Sequence, residues 1–133
     1  MPDTRLHPEN NGNRIHHKPK GMIYLVDKGS LRHIPGPATM ERLFRDWSFI
    51  EVPEIDTWVV DPHHIHEEAR LEQAENSGMV FLIDYYEGPN GLGWYKRHVG
   101  SPAAMDKYNF RWPGQKTADV VLGEITTDNE SIV

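Results

Sequence analysis

Gly21-Met22-Ile23-Tyr24-Leu25-Val26-Asp27 is repeated later in the chain as Gly78-Met79-Val80-Phe81-Leu82-Ile83-Asp84. Every position of the second segment is identical to the first or conservatively replaced. Trp47 and Trp112 end the two regions of similarity. Chance composition does not explain this agreement, so the sequence indicates an internal duplication. Its two copies are residues 21–47 and 78–112.

Each copy predicts a strand, a turn, a return strand and a short helix. Residues 22–26 are large apolar or β-branched residues, and the Asp27-Lys28-Gly29-Ser30 that follows is typical of a tight turn. A further segment that matches between the copies, at residues 32–42 and 97–107, holds the return strand and the helix start. A proline after a capping position begins the helix in both copies.

The two copies are expected to pack against each other, because one hairpin with one short helix is too small to bury an adequate core. The predicted fold class is α+β, mainly β. It consists of two pseudo-symmetric strand-turn-strand-short-helix repeats packed around one core, sealed by both tryptophans, with one exposed polar helix between them. The sequence leaves open whether the hairpins form one continuous sheet or two facing sheets.

Four segments of the first copy form a motif: Tyr24-Leu25-Val26, Arg32-His33-Ile34-Pro35, Pro37-Ala38-Thr39 and Trp47. Together they resemble a short repeat of bacterial surface-binding and secreted proteins. The second copy departs from this pattern at Gly100 and Ala104. The resemblance covers about half of the chain, and it implies a binding module rather than an enzyme.

Length and composition set further bounds. The 133 residues suit a single domain, and the formal net charge of -6 argues against nucleic-acid binding, which needs a clustered basic face. Without cysteine, the chain has neither disulfides nor a thiolate zinc site. It shows no apolar signal-peptide core and no segment of membrane-spanning length. We therefore expect a soluble cytoplasmic protein, unless a non-standard route exports it.

The regions outside the copies predict less regular structure. Residues 1–20 are polar and aperiodic, which is typical of a flexible N-terminal arm. A single domain at residues 21–125 follows, in which residues 48–77 connect the copies and residues 116–125 predict a last strand. Residues 126–133 predict an acidic tail that frays.

The connector carries a weak candidate for a metal site. Asp61-Pro62 and Ser77-Gly78 are typical start and stop signals of a helix. On that helix His63, His66 and Glu67 share one face, where imidazole and carboxylate groups suit a divalent zinc, nickel or copper ion. A solvated helix start accounts for the same residues. The sequence otherwise indicates no cofactor.

The second hairpin contains an insertion of eight residues that is rich in aromatic side chains. Tyr85, Tyr86, Trp94 and Tyr95 flank a Gly-Pro-Asn-Gly turn that includes Asn90, and they predict a ladder of rings on an extended hairpin. Three interpretations stay open. The rings stack on a sugar whose hydroxyls bind polar side chains, or they contact a second copy in a homodimer, or they only extend the core.

A repeated polar pair provides further candidate ligand-binding residues. Arg32-His33 and Arg97-His98 occupy matching positions of the two return strands. They are compatible with two equivalent binding sites, in which arginine binds a carboxylate or a pair of hydroxyls. A structural role, with each side chain packed over its own repeat, is the alternative.

No catalytic motif accompanies these candidates. The chain has no Gly-x-Ser-x-Gly elbow, no phosphate-binding Gly-x-x-x-x-Gly-Lys loop and no cysteine nucleophile. The sequence therefore favours a non-enzymatic, lectin-like module that binds glycan through exposed aromatic residues. The alternatives are an assembly protein that self-associates through the hairpin at residues 84–97 and, less favoured, a metal-dependent enzyme.

Overall fold

The computed structural model of the protein describes residues 5–133. Nine strands and three α-helices occur among these residues. In chain order they are β1 (Arg14–His17), β2 (Met22–Asp27), β3 (Ser30–His33), α1 (Pro37–Leu43), β4 (Ile50–Val52), β5 (Arg70–Ala74), β6 (Val80–Gly88), β7 (Gly91–Val99), α2 (Pro102–Lys107), β8 (Lys116–Thr117), α3 (Asp119–Gly123) and β9 (Thr126–Ile132). This content confirms the predicted α+β, mainly β class.

The strands form two separate sheets, which answers the question that the sequence left open. The first sheet has the strand order β3-β2-β1-β4, and the second has the order β8-β5-β6-β7-β9. In each sheet three consecutive strands pair antiparallel. The strand after the helix then returns to pair in parallel with the first of them, β4 with β1 and β8 with β5.

The predicted hairpins are both present. Lys28 and Gly29 have positive φ values of 53° and 78°, as a two-residue turn between twisted antiparallel strands requires. In the second copy the eight inserted residues extend the hairpin. They lengthen β6 and β7 to nine residues each and place the turn at Pro89 and Asn90.

Each repeat is larger than the sequence similarity indicates. The repeated unit also includes β1 and β4 in one half and β5 and β8 in the other. Their registers match: Ile15 pairs with Tyr24, and Glu72 pairs with Phe81, the equivalent of Tyr24. The equivalent position thus holds the apolar Ile15 in one repeat and the acidic Glu72 in the other. Sequence similarity therefore does not reveal these strands.

The predicted flexible arm is wrong for most of its length. Ile15 is buried in β1, which pairs with both β2 and β4. The amide of His7 donates to the carbonyl oxygen of Gly29 at 2.8 Å. Residues 1–4 of the predicted arm lie outside the described residues. The domain therefore begins before residue 21, because the hairpin of the first repeat needs β1 to complete its sheet.

The predicted polar helix between the copies is also wrong. Residues 70–74 form β5, and residues 61–68 adopt irregular backbone. The amide of Ile65 donates to the carbonyl oxygen of His33 at 3.0 Å. Pairing with the buried strand β6 satisfies the backbone of β5, and such tertiary pairing overrides the weak preference of its residues for a helix.

The C-terminal predictions need a similar correction. Residues 126–132 do not fray but form β9, which pairs in parallel with β7 and buries Ile132. Residues 116–125 are not one strand, since they divide into β8 and α3. The long second hairpin offers β7 as an edge, and β9 covers it.

Both repeats contribute to one apolar core. Its largest cluster combines Met40 and Phe44 of the first repeat with Met105 and Phe110 of the second. The rings of Phe44 and Phe110 stack with centroids 5.7 Å apart, and these two residues form an antiparallel bridge between the repeats. A pseudo-twofold axis passes through this bridge.

Four buried charges lie between the repeats. Arg32 of β3 approaches Asp84 of β6 at 2.7 Å, and Arg97 of β7 donates to Asp27 of β2 at 2.7 Å. The arginine of each repeat thus pairs with the aspartate of the other. Arg32 also lies 3.5 Å from Asp27, which joins the pairs into one cluster. All four side chains are at most 4% exposed, and we call them the charge cluster.

The environment of Asp27 favours its ionised form. Burial by itself raises the pKa of this carboxyl group. The positive charges of Arg97 and Arg32 outweigh burial and hold the pKa below its ordinary value. Asp84 makes hydrogen bonds in addition to its ion pair with Arg32. Its second carboxylate oxygen accepts from the backbone amides of His66 and Tyr85 at 2.9 and 2.8 Å.

Replacement of Asp27 by asparagine tests the charge cluster. We expect Asp27→Asn to lower the free energy of unfolding by about 3–5 kcal/mol, because two buried guanidinium groups lose a counter-charge. Urea denaturation followed by tryptophan fluorescence measures this change. Asp106→Asn removes an exposed carboxylate 2.9 Å from Arg45 and is expected to leave the midpoint nearly unchanged. Equal midpoints for the two variants would contradict the role of the cluster.

The effect of Asp27→Asn should depend on pH. Because the pKa of Asp27 is lower in the folded state, its ionisation stabilises the fold above the unfolded-state pKa of about 3.9. This contribution is lost as the pH falls through the folded-state pKa. The difference in unfolding free energy between wild type and Asp27→Asn is therefore largest near pH 7 and shrinks in acid. A difference that stays constant down to pH 2 would refute this assignment.

Candidate functional site

Two surface clefts occupy equivalent positions in the two repeats. The first has a volume of about 230 Å³ and the second a volume of about 320 Å³. We call them the repeat clefts. Six lining positions hold the same residue in both: Gly21 and Gly78, Met22 and Met79, His33 and His98, Pro37 and Pro102, Met40 and Met105, and Trp47 and Trp112.

The same elements build each repeat cleft. The first residues of β2 or β6, the end of β3 or β7, and the first turn of the following helix line it. Met40 and Met105 are buried beneath, within the shared core. Trp47 and Trp112 follow the helices, and each is 45% exposed. Both clefts thus present a large, partly uncovered aromatic surface to solvent.

A histidine supplies the polar chemistry of each repeat cleft. The ring of His33 lies 5.7 Å from that of Tyr24, and the ring of His98 lies 5.7 Å from that of Phe81. Burial, and after it the charge of His64, lowers the pKa of His33. A neutral imidazole offers one hydrogen-bond donor and one acceptor, so His33 is suited to neutral polar ligands at neutral pH.

The two repeat clefts differ in the remaining positions. The second is also lined by Gln73, Ser77 and Ser101, whereas the first has Pro35 and Gly36 near its helix start. The hydroxyl of Ser101 accepts from the amide of Ala104 at 3.1 Å and caps α2. The second cleft is therefore larger and more polar than the first.

The aromatic hairpin divides its rings between two faces. Tyr85 and Trp94 are paired across β6 and β7 and are half-buried, with ring centroids 5.7 Å apart. His66 lies 4.8 Å from Trp94, and the guanidinium group of Arg70 lies 5.7 Å from it. This half of the predicted ladder remains at the surface, and Asn90 is exposed at the turn.

The other two rings are buried and serve the fold. The hydroxyl of Tyr95 donates to the carbonyl oxygen of Gly91 at 2.6 Å and accepts from the amide of Asn90 at 3.0 Å, so this side chain braces the turn. The hydroxyl of Tyr86 donates to the carboxylate of Asp128. Alternation along a strand places Tyr86 and Tyr95 on the opposite face from Tyr85 and Trp94. They are therefore unavailable to a ligand.

The structure separates each predicted Arg-His pair. Arg32 and Arg97 are buried in the charge cluster and do not line the repeat clefts. His33 and His98 point to the other face of their strands and line the repeat clefts. The prediction that both members face a ligand is wrong, because neighbouring residues of a strand face opposite sides.

The predicted metal site is not assembled. Within residues 5–133, no group of three or more histidine, aspartate or glutamate side chains is arranged to hold a metal ion. Without a helix, His63, His66 and Glu67 share no face. The ring of His63 lies 3.3 Å from Glu87, whereas Nδ1 of His66 accepts from the amide of Glu68 at 3.0 Å.

The sequence carries a signal for the repeat clefts. Trp47 and Trp112, and the methionine and proline residues near them, are identical in the two copies. The sequence predicts that these tryptophans seal the edges of the core, whereas each is 45% exposed. Their exposure is the unexpected finding, because periodicity alone cannot show that the chain after each helix leaves an open cleft beside the ring.

Comparison with known proteins returns no match. No protein-family model, no curated protein and no solved structure is similar to this chain at a significant level. In the part of the chain that the structure describes, residues 5–133, no helix combines the length and apolar composition needed to cross a bilayer. Inferences about function therefore depend on the geometry of the repeat clefts.

Proposed function

We propose that the protein is a non-catalytic, lectin-like module that binds carbohydrate in its two repeat clefts. The observation that carries this proposal is the occurrence of Trp47 and Trp112 at equivalent cleft positions, each 45% exposed. The same aromatic ring is left partly uncovered beside an equivalent cleft in both repeats. A ligand that covers the ring explains both.

Carbohydrate fits the chemistry of the repeat clefts. A sugar presents C–H groups that pack on an aromatic ring and hydroxyl groups that need hydrogen-bond partners. The tryptophan and methionine side chains supply the apolar surface, and His33 and His98 supply polar groups beside it. The additional Gln73, Ser77 and Ser101 give the second cleft more partners for hydroxyl groups.

Removal of the two tryptophans tests the proposal. A glycan array identifies the ligand, and isothermal titration calorimetry then measures affinity and stoichiometry. Trp47→Ala and Trp112→Ala are each expected to remove one of two sites. The double variant is expected to lose affinity by about 30-fold or more, as for the removal of a binding hot spot of about 2 kcal/mol.

Trp94→Ala is the matched control, because it removes a half-buried tryptophan that lies outside both repeat clefts. It is expected to bind like the wild type. Circular dichroism establishes that each variant is folded. Binding that is lost in Trp94→Ala and kept in the double cleft variant would move the site to the hairpin. An array on which the folded wild type binds no glycan would reject carbohydrate recognition.

Self-association through the aromatic hairpin is the second candidate function. Leu92, near the tip of this hairpin, is 58% exposed. Trp94, Val121 and Ile125 line a further surface cavity of about 470 Å³ nearby along the same sheet. Apolar residues of this kind are frequent in interfaces between subunits.

Sedimentation analysis of the wild type and Leu92→Ser tests self-association through the hairpin. A wild type that stays monomeric at high concentration excludes this function.

A further inference from the structure

The two repeat clefts are related by the pseudo-twofold axis of the molecule. Two independent features define this axis, the antiparallel bridge between Phe44 and Phe110 and the reciprocal ion pairs of the charge cluster. Around the bridge, the backbone amide of Arg45 donates to the carbonyl oxygen of Asn109 at 3.1 Å. The amide of Arg111 donates to the carbonyl oxygen of Leu43 at 2.7 Å. The repeats therefore exchange equivalent contacts, as two subunits do across a twofold interface.

The position of the bridge separates the two exposed tryptophans. Trp47 follows Phe44 by three residues, and Trp112 follows Phe110 by two. Because the bridge is antiparallel, the chains leave it in opposite directions. At about 3.3 Å per residue, each tryptophan backbone lies within about 10 Å of the bridge residue of its own repeat. The two tryptophans, one in each repeat cleft, therefore lie on opposite sides of the axis.

This symmetry matters for a polymeric ligand, because a polysaccharide chain has a direction. A twofold rotation reverses the direction of a chain that crosses the axis at a right angle. A chain that runs parallel to the axis keeps its direction, but the rotation carries the second site to the opposite side of the molecule. A straight chain that lies correctly in one repeat cleft therefore cannot lie equivalently in the other. To make equivalent contacts in both, a single chain would have to reverse its direction between the two clefts.

We infer that the two repeat clefts bind two separate ligand chains, so that a single protein molecule cross-links a carbohydrate polymer. This inference rests on the proposed function and adds to it the arrangement of the ligand. Equivalent contacts in the two clefts require two chain segments of opposite direction. Separate chains meet this requirement without a sharp reversal, and one straight chain does not.

Light scattering of mixtures with soluble polysaccharides tests cross-linking. The probes are dextran, mannan, xylan and glycol chitin, each first titrated calorimetrically. With a polysaccharide that binds, the wild type is expected to raise the scattering to a maximum at an intermediate ratio of protein to polymer. An excess of the short oligosaccharide of the same sugar should reverse it. Trp47→Ala and Trp112→Ala should still bind with half the stoichiometry but scatter at least tenfold less.

Leu92→Ser is the control for self-association. It alters an exposed side chain outside the repeat clefts and is expected to bind and scatter like the wild type. Calorimetry that gives two sites per protein without any rise in scattering would overturn cross-linking and leave carbohydrate binding intact. Single-tryptophan variants that scatter as strongly as the wild type would also overturn it. Absence of binding to every probe would count against both proposals.

Discussion

The two ion pairs that cross the pseudo-twofold axis are the interaction on which the rest of the structure depends. Each repeat buries an arginine and an aspartate, and each of these charges is paired with a residue of the other repeat at 2.7 Å. A buried charge without a partner has a large free-energy cost. In the packed structure, each hairpin therefore relies on the opposite charge that the other repeat supplies. The ion pairs thus act together with the apolar core, to which both repeats contribute.

The same interaction determines where the repeat clefts lie. Arg32 and Arg97 face inward from β3 and β7, so the neighbouring His33 and His98 face the clefts. The ion pair with the opposite repeat turns each arginine inward. The histidine that follows it in the strand then faces the opposite side. The charge cluster and the Phe44–Phe110 bridge together relate the two clefts by a twofold rotation. Two equivalent clefts, rather than one composite cleft, follow from this arrangement.

The sequence predicted the duplicated part of the fold and failed where pairing depends on tertiary contacts. The hairpins and short helices carry their own turn and capping signals, and they are present as predicted. Strands β1, β5, β8 and β9 contain polar residues such as Glu72 and Lys116, and they are strands because a neighbouring strand satisfies their backbone. Helical spacing in residues 63–76 was misleading for this reason.

The candidate site was predicted in part. His33 and His98 line the repeat clefts, whereas Arg32 and Arg97 do not, because their partners lie in the other copy. Asp27 and Arg97 are 70 residues apart in the chain, and no local pattern indicates that they are in contact. Among the aromatic residues of the hairpin, only Tyr85 and Trp94 remain at the surface. Strict alternation along the strands of the predicted extended hairpin accounts for this division.

Native-state hydrogen exchange measures whether the two repeats depend on each other. The buried amides of Leu25 and Val26 in β2 and of Leu82 and Ile83 in β6 report on the two sheets. If the charge cluster joins the repeats into one unit, these amides exchange with a common free energy that equals that of global unfolding. Exchange of one sheet at a clearly lower free energy, while the other stays protected, would show that the repeats are stable independently and would contradict the account.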